Sequence, residues 1–491
     1  MASDTQPGAA PARERYDAIV IGGGPAGSTC SALLAARGHK VLLLEKESFP
    51  RFHIGESLLP YNNKVFRKLG IFDELAGDAL IKWGAEFVAP DGVTKKTYYF
   101  RDTLDKDEPH AFEVERAKFD NMLLRNAERR GVEVRERCAV EEVLFEGDQA
   151  VGVRGRDLLP PDAAGAAGGA AAGGAGGGAE AGLGELTKAS PGAGGGGMRR
   201  AATAFEVRAP FVVDATGRDT FLSTRKGWKR RDLPISKTAF FTHWEGVERL
   251  AGQDAGNITI ATWQHGWTWI IPLHRTGTRA SVGIVCHKDW VQSRRKDETQ
   301  DEFYRRTLQG CAAVWERFQG ATQVMPCNTI ADISYRSERY CGPGFVLIGD
   351  AGAFMDPIFS SGVHLAMTGA SHAAEAIDKG LRESRTDPRL FAAYEAHVRA
   401  ATETFFKFIY AWYTPGLHRV FYTPTRKLQI LETVTSMLAG DVWDWKKRIR
   451  MNLFFGVLAF ERFMYRLTQG KEPEAVWRAQ KSERPGARAR S

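Results

Sequence analysis

Residues 16–21 (YDAIVI) form an unbroken run of apolar and β-branched positions, which predicts a strand buried on both faces. A glycine-rich turn follows, and residues 28–38 (STCSALLAARG) carry an Ala/Leu-rich helical pattern with a stop signal at Gly38. Residues 41–44 (VLLL) are a second buried run, ending at Glu45. Strand, turn, helix and strand in this order predict a right-handed βαβ unit with parallel strands. Residues 237–247, 257–273 and 279–285 alternate apolar and polar positions, the pattern of antiparallel strands in a second, sheet-based domain. Beyond Asp350 the pattern turns helical. Residues 403–465 are crowded with aromatics, and FFKFIYAWY (residues 405–413) has them on every side of a helix. Such a helix is buried or covers an apolar cleft. Packing within a C-terminal helical region is favoured over a lid.

Residues 163–197 break the pattern. They contain 15 of the 52 glycines and no aromatic residue. With nothing to bury, this stretch reads as a disordered insertion. AVGVRGRD before it and FEVRAPFVVDATG after it read as strands, so the simplest account is a hairpin whose loop was lengthened.

Length and charge narrow the function. A chain of 491 residues with 43% hydrophobic and 26% charged positions is an ordinary globular protein of two or three domains. The net charge of +8 is confined to the end: residues 446–491 hold 12 basic and four acidic side chains, and residues 1–445 balance. No basic face spans a domain, which argues against nucleic acid as a partner. The six cysteines are scattered and offer neither a metal site nor a disulfide framework. The N-terminus lacks an apolar signal core and no run is long enough for a transmembrane span, so a cytoplasmic location is expected.

The chemistry begins at Gly22, Gly24 and Gly27, a G-x-G-x-x-G between strand and helix. The first glycine permits the tight turn, the second lets the backbone approach a pyrophosphate, and the third allows close helix–strand packing. Pro25 and Ala26 complete the turn, and the helix N-terminus presents free N–H groups to phosphate. Glu45, at the end of the second strand, can accept a ribose hydroxyl. VVDATGRDT (residues 212–220) and FVLIGDAGAFMDP (residues 345–357) are two further strands, ending in Asp214 and in Gly349-Asp350. An Asp at such a strand end can bind a second hydroxylated chain such as ribityl.

With these segments the chain resembles the FAD-dependent monooxygenase superfamily. VERAKFDNMLLRNAERRGVEV (residues 114–134) resembles its next segment, which would place Arg116 near the FAD. Three more segments narrow the resemblance to flavin-dependent halogenases of the phenol or pyrrole branch. They are FPRFHIGESLLP (residues 49–60), the W-x-W-x-I-P match at Trp267, Trp269, Ile271 and Pro272, and DPIFSSGVHLA (residues 356–366). The resemblance covers roughly residues 16–370 apart from the insertion.

It implies an α/β fold: a p-hydroxybenzoate-hydroxylase-like, Rossmann-type FAD-binding domain, an antiparallel-sheet substrate domain and a C-terminal helical region. The boundaries expected are a leader over 1–15 and the first part of the FAD domain over 16–235, with substrate-domain strands interleaved. The substrate domain takes 236–335, the second part of the FAD domain 336–400, the helical region 401–480 and the basic tail 481–491. The resemblance adds Lys46, Arg51, Gly55, Glu56, Ser57, Gly217, Pro357, Gly362 and Val363 to the cofactor site, and assigns the halide to the backbone at Ser361 and Gly362. It implies FAD supplied reduced by a separate flavin reductase, oxygen, and chloride or bromide. The product is hypohalous acid, which reaches a lysine and then the ring. Lys82, in ALIKWGAEF, fits that lysine, with Lys64 the runner-up facing solvent. The Trp pair would block ordinary monooxygenation, and on one strand the two indoles share a face.

Free-tryptophan halogenases have a Glu where Ser360 stands, so no acid–base Glu is carried over and free tryptophan is not the expected substrate. His53, His265 and His364 are candidates for a base by position alone. The expected partners are a small aromatic substrate, or an acyl or peptidyl carrier protein bearing it, and the reductase. The basic tail could meet such an acidic carrier. A flavin hydroxylase, or a reductase resembling geranylgeranyl reductase, is the alternative on the same fold.

Overall fold

The computed structural model describes residues 15–158, 203–231, 237–331 and 334–470. The predicted insertion at 163–197 lies outside them. The strands on either side of it, Gln149–Asp157 and Ala204–Arg208, pair antiparallel, and Cys138–Glu146 completes that three-stranded sheet.

The first strand, Ala18–Ile21, is buried at all four positions and lies at the centre of a six-stranded sheet. It pairs in parallel with Val41–Leu44 on one side and Phe211–Asp214 on the other. Glu133–Arg135 and Phe345–Leu347 extend the sheet in parallel, and the short Cys341–Gly342 closes it antiparallel. Burial on both faces explains the continuous apolar runs read from the sequence. The fingerprint helix, Pro25–Ala35, packs against the long helix Ser361–Arg382.

The second large sheet has eight strands. Gly266–Pro272, which carries the two tryptophans, lies between Ile258–Trp263 and Ala280–His287. It is antiparallel except at one joint, where Ile258–Trp263 meets Gly84–Val88 in parallel. That joint inserts an early segment, Gly84–Val88 with Lys95–Tyr99, into a sheet otherwise built from residues 237–331. Just before it, Leu80–Lys82 forms a separate ribbon with Ala111–Glu113. The bend between ribbon and sheet is pinned by Asn257, whose Oδ1 accepts from the Trp83 and Gly84 N–H groups (3.0 and 2.8 Å). The backbone at Gly256 lies so close to Ile81 that a Cβ would meet its carbonyl oxygen at 2.0 Å.

The first half of the aromatic C-terminal segment is packing. In the helix Ala392–Trp412, Phe405, Phe406, Phe408, Ile409 and Trp412 are buried. Trp412 lies against Phe87, Phe359 and Phe421, which ties the helical region to both the sheet and the turn Pro357–Phe359.

Close approach at the fingerprint is strict. A Cβ on Gly27 would sit 1.9 Å from the Gly22 carbonyl oxygen. Gly27→Ala must therefore push the helix off the strand, an overpacking cost of about 1–3 kcal/mol. Urea denaturation of the variant should show that loss, accompanied by weaker flavin retention.

Candidate active site

A cavity of about 480 Å³ runs between the two sheets. Gly22, Gly24, Pro25, Ala26, Glu45, Lys46, Arg51, Gly55, Glu56, Ser57, Arg116, Gly217, Asp350, Pro357, Gly362 and Val363 all line it, although they come from five separate stretches of chain. Trp267 and Trp269 line it as well, from the second sheet. Gly27, Asp214, Pro272, Gly349, Ser361 and Lys82 were also expected at the site, but they lie outside the lining.

The placement of those six has physical reasons. Gly27 and Gly349 do packing work: a Cβ on Gly349, which has φ +61°, would press on Ala366 and Ala26. Asp214 is buried with its carboxylate turned inward, accepting from Thr216 N, Thr216 Oγ1 and Leu222 N (3.1, 2.7 and 2.8 Å). It shapes the turn carrying Gly217 and Arg218. Pro272 ends the tryptophan strand. Ser361 is buried beside the cavity, and its Oγ finds no partner among the described residues. Ser360, at the N-terminal end of the helix Ser361–Arg382, takes a left-handed backbone (φ +55°) and makes no side-chain cap.

The cofactor end fits a dinucleotide. Gly22 has φ +104°, and a Cβ there would strike the Ala215 carbonyl oxygen at 2.5 Å, so strand, turn and neighbouring segment close on one another. Glu45 accepts from Gly23 N and Glu47 N (2.6 and 2.8 Å), holding its carboxylate at the cavity wall. Lys46 pairs with Asp219 across the mouth. Arg116 is 4% exposed and forms a two-pronged pair with Asp120 (2.7 and 2.9 Å) while donating to Ile54 O. Asp120 stands four residues on in the same helix, a spacing that could have pointed to it. Asp350 is pushed up to about 6 by burial, with Arg218 and Arg116 pulling the other way. These residues could hold FAD: a glycine cradle and helix N-terminus for its pyrophosphate, carboxylates for hydroxyls, and a long apolar slot for its ring.

At the ring end, the Trp267 and Trp269 indoles lie 5.7 Å apart on one face of their strand. Trp267 Nε1 donates to Tyr413 Oη (3.2 Å), which donates to Asp356 Oδ2 (2.6 Å). The Lys237 ammonium sits over the Tyr413 ring at 3.6 Å, and burial lowers it to about 8 against the pull of Asp356. No spacing in the sequence joins Trp267, Asp356 and Tyr413. Only folding brings them together.

Lys82 is 1% exposed. Its Nζ donates to Ser57 Oγ (2.7 Å) and Leu58 O (3.1 Å), so it stands one residue behind the cavity wall. Burial draws its ammonium down from the ordinary lysine value, opposed by Glu113. Next to Ser57, the buried Glu56 accepts from His243 Nε2 (2.9 Å). Burial opposes the charge on His243, but the Glu56 carboxylate outweighs it and holds the imidazole above its ordinary value. Lys64 is half-exposed and pairs with Asp105.

Of the candidate histidines, only His53 lines the cavity. Burial and Arg116 hold it down at about 4. His265 stacks on Trp290. His364 is locked: its Nε2 accepts from Trp443 Nε1 (2.7 Å) and its Nδ1 faces Asn62 Oδ1 (2.9 Å).

The model of the tryptophan halogenase family matches residues 17–104 and 200–449. The chain belongs to that family. It is a flavin-dependent halogenase, an FAD enzyme. It is 28% identical over 459 residues to the 1H-pyrrole-2-carbonyl-(peptidyl-carrier protein) chlorinase of Pseudomonas fluorescens, covering 88% of this chain and 90% of that one. It is 32% identical over 368 residues to the tryptophan 2-halogenase of Chondromyces crocatus, covering 73% of this chain but only 60% of that one. Among solved structures, the flavin-dependent brominase Bmp2 superposes with a TM-score of 0.74 at 27% identity, over 92% of this chain and all of that one. The family match skips residues 105–199, which contain the insertion.

In this halogenase the Tyr413 hydroxyl is the joint between the tryptophan wall and Asp356. Tyr413→Phe leaves a buried indole N–H and a buried carboxylate oxygen short of a partner. The expected loss is about 1–3 kcal/mol in chemical denaturation, with a change in the protein's tryptophan emission.

Proposed function

We propose that this halogenase acts on an electron-rich phenol- or pyrrole-type ring, with FAD reduced by a separate reductase and with chloride or bromide as the halogen source. The observation that supports it is the shared cavity. The fingerprint and the Trp pair line it together, and the buried Lys82 is held behind the lining residue Ser57. Reduced FAD, when bound, supplies the oxidation of halide by oxygen to hypohalous acid.

The rest falls to this chain's own side chains. Gly22 and Gly24 with the helix N-terminus bind the pyrophosphate, and Gly27 lets that helix pack against the strand. Glu45 and Asp350 hold hydroxyls, and Arg116, anchored by Asp120, fixes the wall. The backbone at Ser361 and Gly362, at the start of a 22-residue helix, presents N–H groups to the halide. A Cβ on Gly362 would meet nothing within 4 Å, so that stretch is open to the cavity. The indoles of Trp267 and Trp269 keep the ring away from the flavin, and Lys82 receives the oxidant. Ser360 stands where an acid–base Glu is expected for free tryptophan. That supports a ring already activated by its own oxygen or nitrogen.

The same reading includes a carrier-bound substrate, and one surface fits the carrier. In the helix Trp445–Gln469, Trp445, Ile449, Leu453, Phe460, Phe463 and Leu467 lie on one face and are 56–65% exposed. The opposite face packs through Met451, Phe454 and Leu458. Lys446 and Arg450 edge the stripe on one side, Arg448 and Arg466 on the other. The helix's one acidic side chain, Glu461, is paired with Arg419. A second copy would bring cation against cation. An acidic partner with an apolar centre complements it. The helix also rests on Pro415–Phe421 and Ile430–Leu438, and the latter packs against the turn carrying Phe100, whose ring lies 5.3 Å from Lys82 Nζ.

Three experiments test the reading. Holoenzyme with reductase, NADH, oxygen and chloride or bromide should halogenate a free phenol or a pyrrole-loaded carrier. Hydroxylation alone would overturn it. Lys82→Ala should lower halogenation at least about 100-fold with flavin absorbance intact. Ile449→Glu with Phe460→Glu should cut turnover of the loaded carrier about tenfold or more and spare a free phenol. Equal turnover of the carrier, or binding to anionic vesicles in place of carrier, would remove the docking surface.

A further inference from the structure

The lysine's surroundings carry more than its position. Lys82 stands opposite Ala111 in the two-stranded ribbon, which puts Glu113 on the same face one diagonal step away. Ser57 lies between them. Its Oγ accepts from Lys82 Nζ (2.7 Å) and donates to Glu113 Oε1 (3.2 Å), so the hydrogen bonds run in one direction from ammonium to carboxylate. The three residues are 1%, 4% and 0% exposed, and Glu113 Oε2 has no hydrogen-bond partner among the described residues.

The other charged group facing Glu113 is Glu56, from the segment that carries Ser57, and Glu56 is itself engaged by His243 on the tryptophan sheet. Lys82 faces Glu113 and the Phe100 ring. Ammonium and carboxylate are thus both desolvated and are joined through a hydroxyl. Burial pushes Glu113 up to about 8 and draws Lys82 down, so both shifts favour the uncharged pair.

We propose that Ser57 relays a proton from Lys82 to Glu113, so that the lysine meets the oxidant as a neutral amine whose proton is stored on the carboxyl. This rests on the reading of Lys82 as the group that receives hypohalous acid. The hydroxyl takes a proton from Nζ and passes its own to Oε1, leaving a free amine and a carboxylic acid. The amine lone pair then attacks the halogen of hypohalous acid. An N–halogen bond forms, the oxygen–halogen bond breaks, and the amine proton leaves with hydroxide as water. Nitrogen is oxidised at the expense of the hypohalous acid, and no further reductant is needed. An ammonium has no lone pair and cannot take this step. Glu113 is a positioning residue, acting through Lys82.

Two measurements on the FAD-loaded full chain test the relay. With glutamate labelled at the carboxyl carbon, one resonance should titrate near pH 8 and vanish in Glu113→Gln. In Lys82→Met the midpoint should move to higher pH, because the nearby cation is gone. In halogenation assays Glu113→Gln should lower kcat about tenfold at pH 7, because the ammonium loses its internal proton acceptor, with KM for the ring unchanged. Ser57→Ala should do the same and Ser57→Thr should restore it. If Glu113→Gln does not fold, the Ser57 pair and the Lys82→Met titration carry the test. Wild-type kcat at pH 7 in Glu113→Gln and Ser57→Ala, or a Glu113 midpoint unmoved by Lys82→Met, would overturn the relay. Full halogenation by Lys82→Met would sink the reading of the lysine itself, and the relay with it, even with the titrations still coupled.

Discussion

Burying an unpaired ammonium costs several kcal/mol, and this fold buries one at Lys82. The cost is offset by a hydroxyl, a main-chain carbonyl and a nearby carboxyl group. Meeting those terms constrains much else. The segment 56–58 must run beside the ribbon strand Ala111–Glu113, which it does through Leu58 N to Phe112 O and Val114 N to Glu56 O (3.0 and 2.8 Å). The same segment places Glu56 against His243, and so ties the ribbon to the sheet that carries the tryptophans. One short stretch, Glu56-Ser57-Leu58, thereby links the cofactor cavity, the lysine and the second sheet.

The cavity follows from how two unlike sheets meet. The parallel sheet ends in glycines and carboxylates at its strand ends, where a nucleotide finds N–H groups and acceptors. The mostly antiparallel sheet turns an aromatic face toward it. Each wall is anchored from behind by a buried charged group: Arg116 by Asp120 on the flavin side, and Trp267 by Tyr413 and Asp356 on the other. Asp356 stands just before the turn Pro357–Phe359, with Ile358 N bound to its Oδ1 (3.1 Å). The Trp wall and the turn Pro357–Phe359, which leads into the helix Ser361–Arg382, are therefore held by the two oxygens of one carboxylate.

Much of the nucleotide half was legible in the sequence because its signals are local. Gly22, Gly24, Gly27 and Glu45 lie within one βαβ unit, and backbone geometry dictates their spacing. Arg116 could be read from a segment pattern, but Asp120, which holds it, went unread although it stands one helical turn away. Asp214 shows the limit of reading by type. An aspartate at a strand end looks like a ligand, yet its oxygens are spent on the turn that follows. His364 looked as able a base as His53 until Trp443 and Asn62 were seen to hold both its nitrogens.

By itself, the sequence determined the parallel sheet with its dinucleotide turn, the tryptophan strand, and the confinement of excess positive charge to the C-terminal residues. These depend on periodicity and on glycine's freedom over a few neighbouring positions. Tertiary structure alone decided which charges would face one another. Ser57, Lys82 and Glu113 come from three separate stretches, as do Trp267, Asp356 and Tyr413, and no local rule couples them. It also decided that the helix Trp445–Gln469 is apolar on both sides, with only one side covered by the described residues. A hydrophobic pattern marks residues as apolar, but which face is buried depends on what the rest of the chain brings against it.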